Sequence, residues 1–335
     1  MRKRTTRPHL RLLLVTALSV AVIWGFAGEA PIVGRAAPGR LAAVDPGFGS
    51  SAFEPFVFLH FGDPQLGRAD LGAEAARFAR AVREANALEP AFVIIAGDFT
   101  ETGTFGQQYT FERILKRLTV PVVLVAGNHD TFDRRSRAAY RSAFGPEWYT
   151  VVYRNCAFLC LNSELPRRSV FREAADRQTA FAEAALAEAA AAGRTHRFVV
   201  QHHPPFNRTG LDTMPAGGGS APYTRRVLAL ARRCGAPTFL CGHRHTNEVI
   251  RSADGALTIY VTSGTAEARG RDRGDYRYRV FRVYADRIEQ IAVRLDAPMA
   301  VKRRACRLAR RPSGTPPPDG FVDLDEVEAR GQPPG

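Results

Sequence analysis

The chain has 335 residues, of which 45% are hydrophobic, with five cysteines and a formal charge of +14. That length holds one large domain or two small ones, and that apolar content excludes a chain too polar to build a core. The charge excludes less than it suggests: residues 1–40 carry seven basic residues against Glu29, residues 301–311 carry six more, and the rest nets only about +2. A broad basic groove for nucleic acid is therefore disfavoured, because the basicity sits in two terminal blocks.

In chain order, Arg2, Lys3, Arg4 and Arg7 form a positive n-region, and residues 12–27 form an uncharged apolar run followed by Ala30, Ala36 and Ala37. This reads as a signal peptide over residues 1–30. The second reading is an uncleaved membrane tether, although the run is shorter than the roughly 20 residues of a comfortable span. Both place the globular part outside the cytoplasm, periplasmic or extracellular. A Gly/Pro/Ala-rich linker is expected at 31–52, a folded domain at 53–300, and a basic then Pro-rich disordered tail at 301–335.

From Phe53 onward, short apolar runs alternate with helical patterns. Helices are predicted over residues 69–87, 105–118, 134–144, 173–192 and 223–233. Residues 151–153 and 156–161 predict a hairpin about Arg154-Asn155. After His245 the chain turns strand-rich, at 248–251, 257–261, 276–284 and 288–295. This order predicts two packed sheets with helices outside. The cysteines do not read as a disulfide framework. Cys156 and Cys160 share a strand face roughly 13 Å apart, too far to bridge, and Cys234 and Cys241 pair only if the fold brings them together. The Gly-rich stretch 217–220 lacks the Lys of a phosphate-binding loop and reads as a surface loop. Asn207-Arg208-Thr209 fits a glycosylation sequon, a triplet common by chance.

Five apolar runs end on groups that ligate metals. Asp63 follows Phe56–Leu59, Asp98 follows Phe92–Ile95, and Asn128-His129-Asp130 follows Val122–Val125; His202-His203 follows Phe198–Val200, and Gly242-His243-Arg244-His245 follows Thr238–Leu240. Taken singly, an Asp at a strand end is more often a cap and a lone His more often a structural hydrogen-bonder. Five such groups in one context point instead to a metal site on one rim. Carboxylates offset the repulsion between two cations, and Asp98, beside the small Gly97, is the candidate bridge. Histidine-rich sets favour transition metals over calcium or magnesium.

The order Asp63-Pro64-Gln65, Gly97-Asp98, Gly127-Asn128-His129-Asp130, His202-His203-Pro204-Pro205 and Gly242-His243-Arg244-His245 resembles the signature blocks of the calcineurin-like metallophosphoesterases, over roughly residues 55–295. The resemblance implies a four-layer α/β/β/α sandwich of two mixed sheets flanked by helices. It implies two divalent ions (Mn, Fe, Zn, Ni or Co), one held by Asp63, Gln65, Asp98 and His245, the other by Asp98, Asn128, His202 and His243. His129 is implied as an acid or charge stabiliser, oriented by Asp130 or Asp63. His203 is expected beside the ligands or against substrate, and Arg244 in a structural or solvated role. Position 65 departs from the family's Asp-x-His, because glutamine offers a neutral oxygen that is a weaker donor than imidazole. The Asp-Pro-Gln form, with Leu161-Asn162-Ser163-Glu164, looks like a subgroup related to serine/threonine phosphatases with a calcineurin-like domain. Asp98 is followed by Phe99, Thr100 and Glu101, so the Asp-x-x-Tyr of purple acid phosphatases is missing.

The implied activity is hydrolysis of phosphate esters by a water acidified between two cations, with monoesters slightly favoured. Nucleotide phosphodiesterase, nuclease, and a surface-tethered binding module weakened by Gln65 are the alternatives. Substrate selection is expected in the loops at 100–108, 163–171 and 206–223.

Overall fold

A computed structural model describes residues 32–33, 52–207, 210–211, 220–252, 254–267 and 274–308. Most of the expected leader and linker, the Gly-rich 217–219, two residues of the sequon and the tail from 309 lie outside the described residues. No described helix is long and apolar enough to cross a membrane.

In chain order the strands are β1 (Ile32–Val33), β2 (Phe56–Phe61), β3 (Val93–Ala96), β4 (Val122–Val125), β5 (Tyr149–Tyr153), β6 (Cys156–Leu161), β7 (His196–Gln201), β8 (Phe206–Asn207), β9 (Gly210–Leu211), β10 (Thr238–Cys241), β11 (Glu248–Arg251), β12 (Thr258–Val261), β13 (Arg277–Val283) and β14 (Ile288–Arg294). The helices are α1 (Leu71–Leu88), α2 (Phe105–Leu115), α3 (Arg134–Phe144), α4 (Arg172–Ala191), α5 (Ser220–Arg233) and α6 (Met299–Ala305). One mixed sheet has the order β1-β4-β3-β2-β13-β14 and the other β11-β12-β10-β7-β6-β5.

Three apolar layers hold these elements together. Phe58, Phe92, Phe158, Phe198 and Phe281 interlock between the sheets, with Phe158 and Phe198 stacked at 4.5 Å and Phe58 and Phe281 at 4.8 Å. Phe78, Phe111, Tyr140 and Ala305 cover the outer face of the first sheet. Phe181, Leu186, Val227 and Ala231 cover that of the second. The result is the four-layer α/β/β/α sandwich expected from the order of elements. Strands buried on both faces read as continuous apolar runs, which is why β3, β4 and β10 were legible. Their shared direction matters for function: β2, β3 and β4 run parallel in one sheet, β7 and β10 in the other. Loops at the carboxyl ends of parallel strands are where ligands bind in such sheets.

Element boundaries differ in instructive places. Helix α5 starts three residues before the expected Tyr223, because Pro222 is tolerated in a first helical turn. Helix α2 ends at Leu115, and the chain continues in tighter turns through Arg117 and Leu118. The expected tail boundary at 301 is corrected: α6 packs on α1, and Lys302 is fully buried, donating to the Leu295 carbonyl (2.8 Å) and pairing with Glu84 (2.6 Å). A charged residue read as solvated is here a strut. Within the expected linker, β1 pairs with β4. All five cysteines are free, so Cys234 and Cys241 do not pair.

Candidate metal centre

Among the described residues, eight non-glycine residues adopt positive φ: Asp63, Gln65, Glu89, Asp98, Arg154, Asn155, His243 and His245. Three have ordinary reasons, since Glu89 ends α1 and Arg154-Asn155 turn the β5–β6 hairpin. The other five all belong to the ligand set expected from the sequence. Such backbone costs of order 1–3 kcal/mol per residue and persists where the fold over-determines it, commonly at functional sites. Here the sharp turn aims each side chain back over the strand ends.

The turns are held by the groups they present. The His243 N–H donates to both oxygens of Asp63 (3.1 and 2.9 Å). The His129 N–H donates to Asp98 Oδ1 (2.9 Å), and the Gln65 N–H to the Asp98 carbonyl (2.8 Å). The buried Glu74 carboxylate of α1 accepts from the N–H groups of Gly67, Arg68, Ala69 and Asp70, which pins the loop behind Gln65. Gly97 and Gly127 answer to close approach: a Cβ at Gly97 would lie 2.5 Å from His202 Nδ1, and one at Gly127 2.1 Å from Asp98 Oδ1.

Four atoms that can ligate a cation converge at the centre. His202 Nδ1 donates to the Ala96 carbonyl (2.8 Å), so in the neutral ring Nε2 carries a lone pair. That nitrogen lies 3.1 Å from Asp98 Oδ2, 3.1 Å from Asn128 Oδ1 and 3.2 Å from His243 Nδ1. Lone pairs crowded this closely repel unless a cation sits among them. A second set adjoins it. Asp63, Asp98 and His202 present donor atoms within 4.8 Å of one another, and His245 Nε2 lies 3.7 Å from Asp63. Gln65 follows Asp63 by two positions: its Nε2 donates to Glu101 (2.8 Å), while its buried Oε1 has no hydrogen-bond partner. An amide clamped by its nitrogen, with its oxygen bare and buried, fits a metal ligand.

Protons occupy the cluster where cations would. Burial alone would lower the His202 pKa, but the Asp98 carboxylate beside it lifts it to about 10. His245 is likewise opposed by burial and lifted to about 9 by Asp63 and Glu267. Burial raises Asp63 to about 6, and burial together with the Asp98 charge raises Asp130 to about 7. Asp98 resists burial and stays well below the usual carboxylate range because His202 faces it. His243 is pushed down to about 3 by burial and by the neighbouring His202.

Two expectations need correction. His129 is not oriented by Asp130 or Asp63; its Nδ1 donates to the Glu101 carbonyl (2.6 Å), with the Glu101 carboxylate 3.7 Å away. Asp130 is spent on backbone, accepting from Phe99 N–H (3.0 Å) and Gly127 N–H (2.8 Å), so it braces the loop rather than the imidazole. Glu101 was missed as a functional residue, although it follows Asp98 by three positions in the same strand-end loop. Glu267 was missed too: it pairs with His245 Nδ1 from the loop after β12, a strand end that ends in no conspicuous motif. His203 is buried next to His243, ring centroids 4.2 Å apart, and bonded to Ser163 (2.9 Å). Arg244 reaches toward Glu248 at 3.9 Å.

The family model for calcineurin-like phosphoesterases matches residues 56–247, which contain all seven expected ligands. The chain belongs to this family. Among its relatives is a probable cyclic nucleotide phosphodiesterase of Rhodopseudomonas palustris, 31% identical over 183 residues; the match covers 51% of this chain and 63% of that protein, less than two thirds of its length. Among solved structures, a dimetal phosphatase from Danio rerio superposes with a TM-score of 0.56 at 16% identity, covering 72% of this chain and 99% of that one. A purple acid phosphatase from yellow lupin (Lupinus luteus) seeds superposes with a TM-score of 0.56 at 13% identity, covering 73% and 52%. At these identities the two structures share the fold.

Proposed function

We propose that this calcineurin-like phosphoesterase hydrolyses phosphate esters at a two-cation site. The convergence of Asp98, Asn128, His202 and His243 lone pairs carries the reading. One cation would be held by those four, the other by Asp63, Gln65, Asp98 and His245. Bound there, divalent transition metals would supply Lewis acidity, acidifying a water and offsetting phosphate charge. The chain's own contribution is positioning. Asp98 serves both sets. The Ala96 carbonyl and Glu267 hold the Nδ1 atoms of His202 and His245, which leaves both Nε2 atoms as donors to metal. His129, anchored through Nδ1 by the Glu101 carbonyl, would hand a proton to the departing oxygen.

Monoesters are slightly favoured as the substrate form. Nucleotide diesters are the second, supported by the name of the Rhodopseudomonas palustris relative. Protein reconstituted separately with Mn, Fe, Zn, Ni and Co, then assayed on 4-nitrophenyl phosphate and its bis-ester, tests the reading. Cleavage of neither ester with any metal overturns it. The N-terminal pattern supports export or a membrane tether, with residues 53–308 as the folded part. A fused reporter phosphatase that is active only outside the cytoplasm, and that stays inactive in the producing cells, refutes the export.

A further inference from the structure

We propose that a cavity between α2 and α3 binds a planar aromatic ring in the ester's departing arm; this rests on the phosphoesterase reading above. The cavity measures about 350 Å³ and shares its inner wall, His129 and Asp130, with the metal centre. Its volume falls within the range of small-molecule sites. An arm whose oxygen takes a proton from His129 extends past that ring, into this space.

Three observations point to an aromatic occupant. The cavity's base is the edge of a ring stack, with Phe99 on Phe111 at 4.7 Å and 2°, and Phe99 beside Tyr140 at 6.0 Å. Of the five large hydrophobic residues exposed among the described residues, Phe132 lines this cavity and two more, Phe105 and Tyr109, stand on the bordering helix α2. Phe132 lines the mouth at 41% exposure, and Phe105 and Tyr109, 84% and 56% exposed, stack on each other at 6.0 Å on the turns of α2 that flank the lining residue Gln108. An exposed ring on a cavity wall offers stacking area to a ligand. The third observation is polar. Gln108 lines the cavity and its side-chain amide makes no hydrogen bond among the described residues. It offers one donor and one acceptor to the edge of a heteroaromatic ring. The cavity borders one of the segments, residues 100–108, where selection was expected from the sequence.

The test compares esters matched in leaving-group chemistry: adenosine 5′-phosphate against ribose 5-phosphate, and 2-phenylethyl phosphate against butyl phosphate. The metal-loaded protein is expected to favour the aromatic member by roughly tenfold or more in kcat/KM, the scale of one stacked base. Ala139→Trp, which fills the cavity from the exposed face of α3, and Phe132→Ala should bring both ratios toward one. Adenosine binding by calorimetry gives a second readout independent of turnover, and Ala139→Trp should abolish it. Selectivity only in the adenosine pair, lost in Gln108→Leu, assigns a nucleobase; selectivity in both pairs assigns aromatic rings in general. Equal rates within each pair, with the esters cleaved, overturn the cavity assignment and leave the phosphoesterase reading intact. If no ester is cleaved that reading fails, and adenosine that does not bind overturns the cavity on its own.

Discussion

Glu101→Leu separates the two jobs that Glu101 performs. Its carboxylate accepts from Gln65 Nε2 at 2.8 Å and pairs with Arg68, while its backbone carbonyl takes the His129 Nδ1–H at 2.6 Å. Leucine deletes the first and keeps the second. Gln65 is 1% exposed, so its amide nitrogen is left without a partner in the interior. That costs about 1–3 kcal/mol unless the amide rotates to find one. Rotation carries Oε1 away from the direction Glu101 had imposed. Either outcome weakens the cation at the Gln65 side, by about 10–100-fold on the scale known for the outer partners of ligands. The other set, Asn128, His202 and His243, makes no contact with Glu101 and should bind within about threefold of wild type. The Arg68 pair is partly exposed, 28% and 21% for the two side chains, and its loss should barely change the melting temperature. Calorimetric titration of cation-free protein with Mn²⁺ or Zn²⁺ resolves the two events. With metal saturating, turnover should stay within about tenfold of wild type, because His129 keeps its anchor. Equal weakening of both events, or of neither, refutes the assignment of Glu101 to Gln65.

Asp98→Asn removes the carboxylate shared by both sets and should reduce bound metal from two ions to fewer than one, measured by elemental analysis of the dialysed protein. His129→Ala should keep both ions and slow turnover by roughly 10²–10⁴-fold; wild-type rates would remove His129 from the chemistry. Cation binding should release protons, because His202, lifted to about 10, and His245, lifted to about 9, hold them at neutral pH in the cation-free protein. Affinity should therefore rise with pH, and calorimetry in buffers of different ionisation enthalpy should show the release. His60, buried and beside the Arg279 charge, has its pKa lowered from 6.5 to about 3. The unfolded chain binds this proton first, so stability falls as pH drops from 6.5 toward 3, by about 2 kcal/mol between pH 7 and 5. Denaturant melts of wild type and His60→Gln at both pH values check it, and equal losses in the two proteins would refute it.

The donors were readable because strands buried on both faces announce themselves as apolar runs, and parallel strands end on one rim. A polar residue just past such a run is therefore placed in three dimensions by one-dimensional pattern. That Asp63, Asp98, Asn128, His202 and His243 stand just past strand ends was read this way, and the alternation of strands and helices pointed to two packed sheets with helices outside. Lys302 misled for the opposite reason. Its neighbours in sequence are cationic and solvated, and only the docking of α6 against Glu84 explains its burial.

Residue types and spacing thus determined which groups stand at the strand ends. Only the folded chain decided how they are oriented, because hydrogen-bond partners across a site come from segments with no shared pattern. Asp130 is adjacent to His129 in the chain yet bonds to Phe99 and Gly127, while Glu101, 28 positions away, holds the imidazole through a backbone carbonyl. A main-chain oxygen carries no side-chain signature, and the cavity beside His129 is a gap between two helices that neither helix encodes alone.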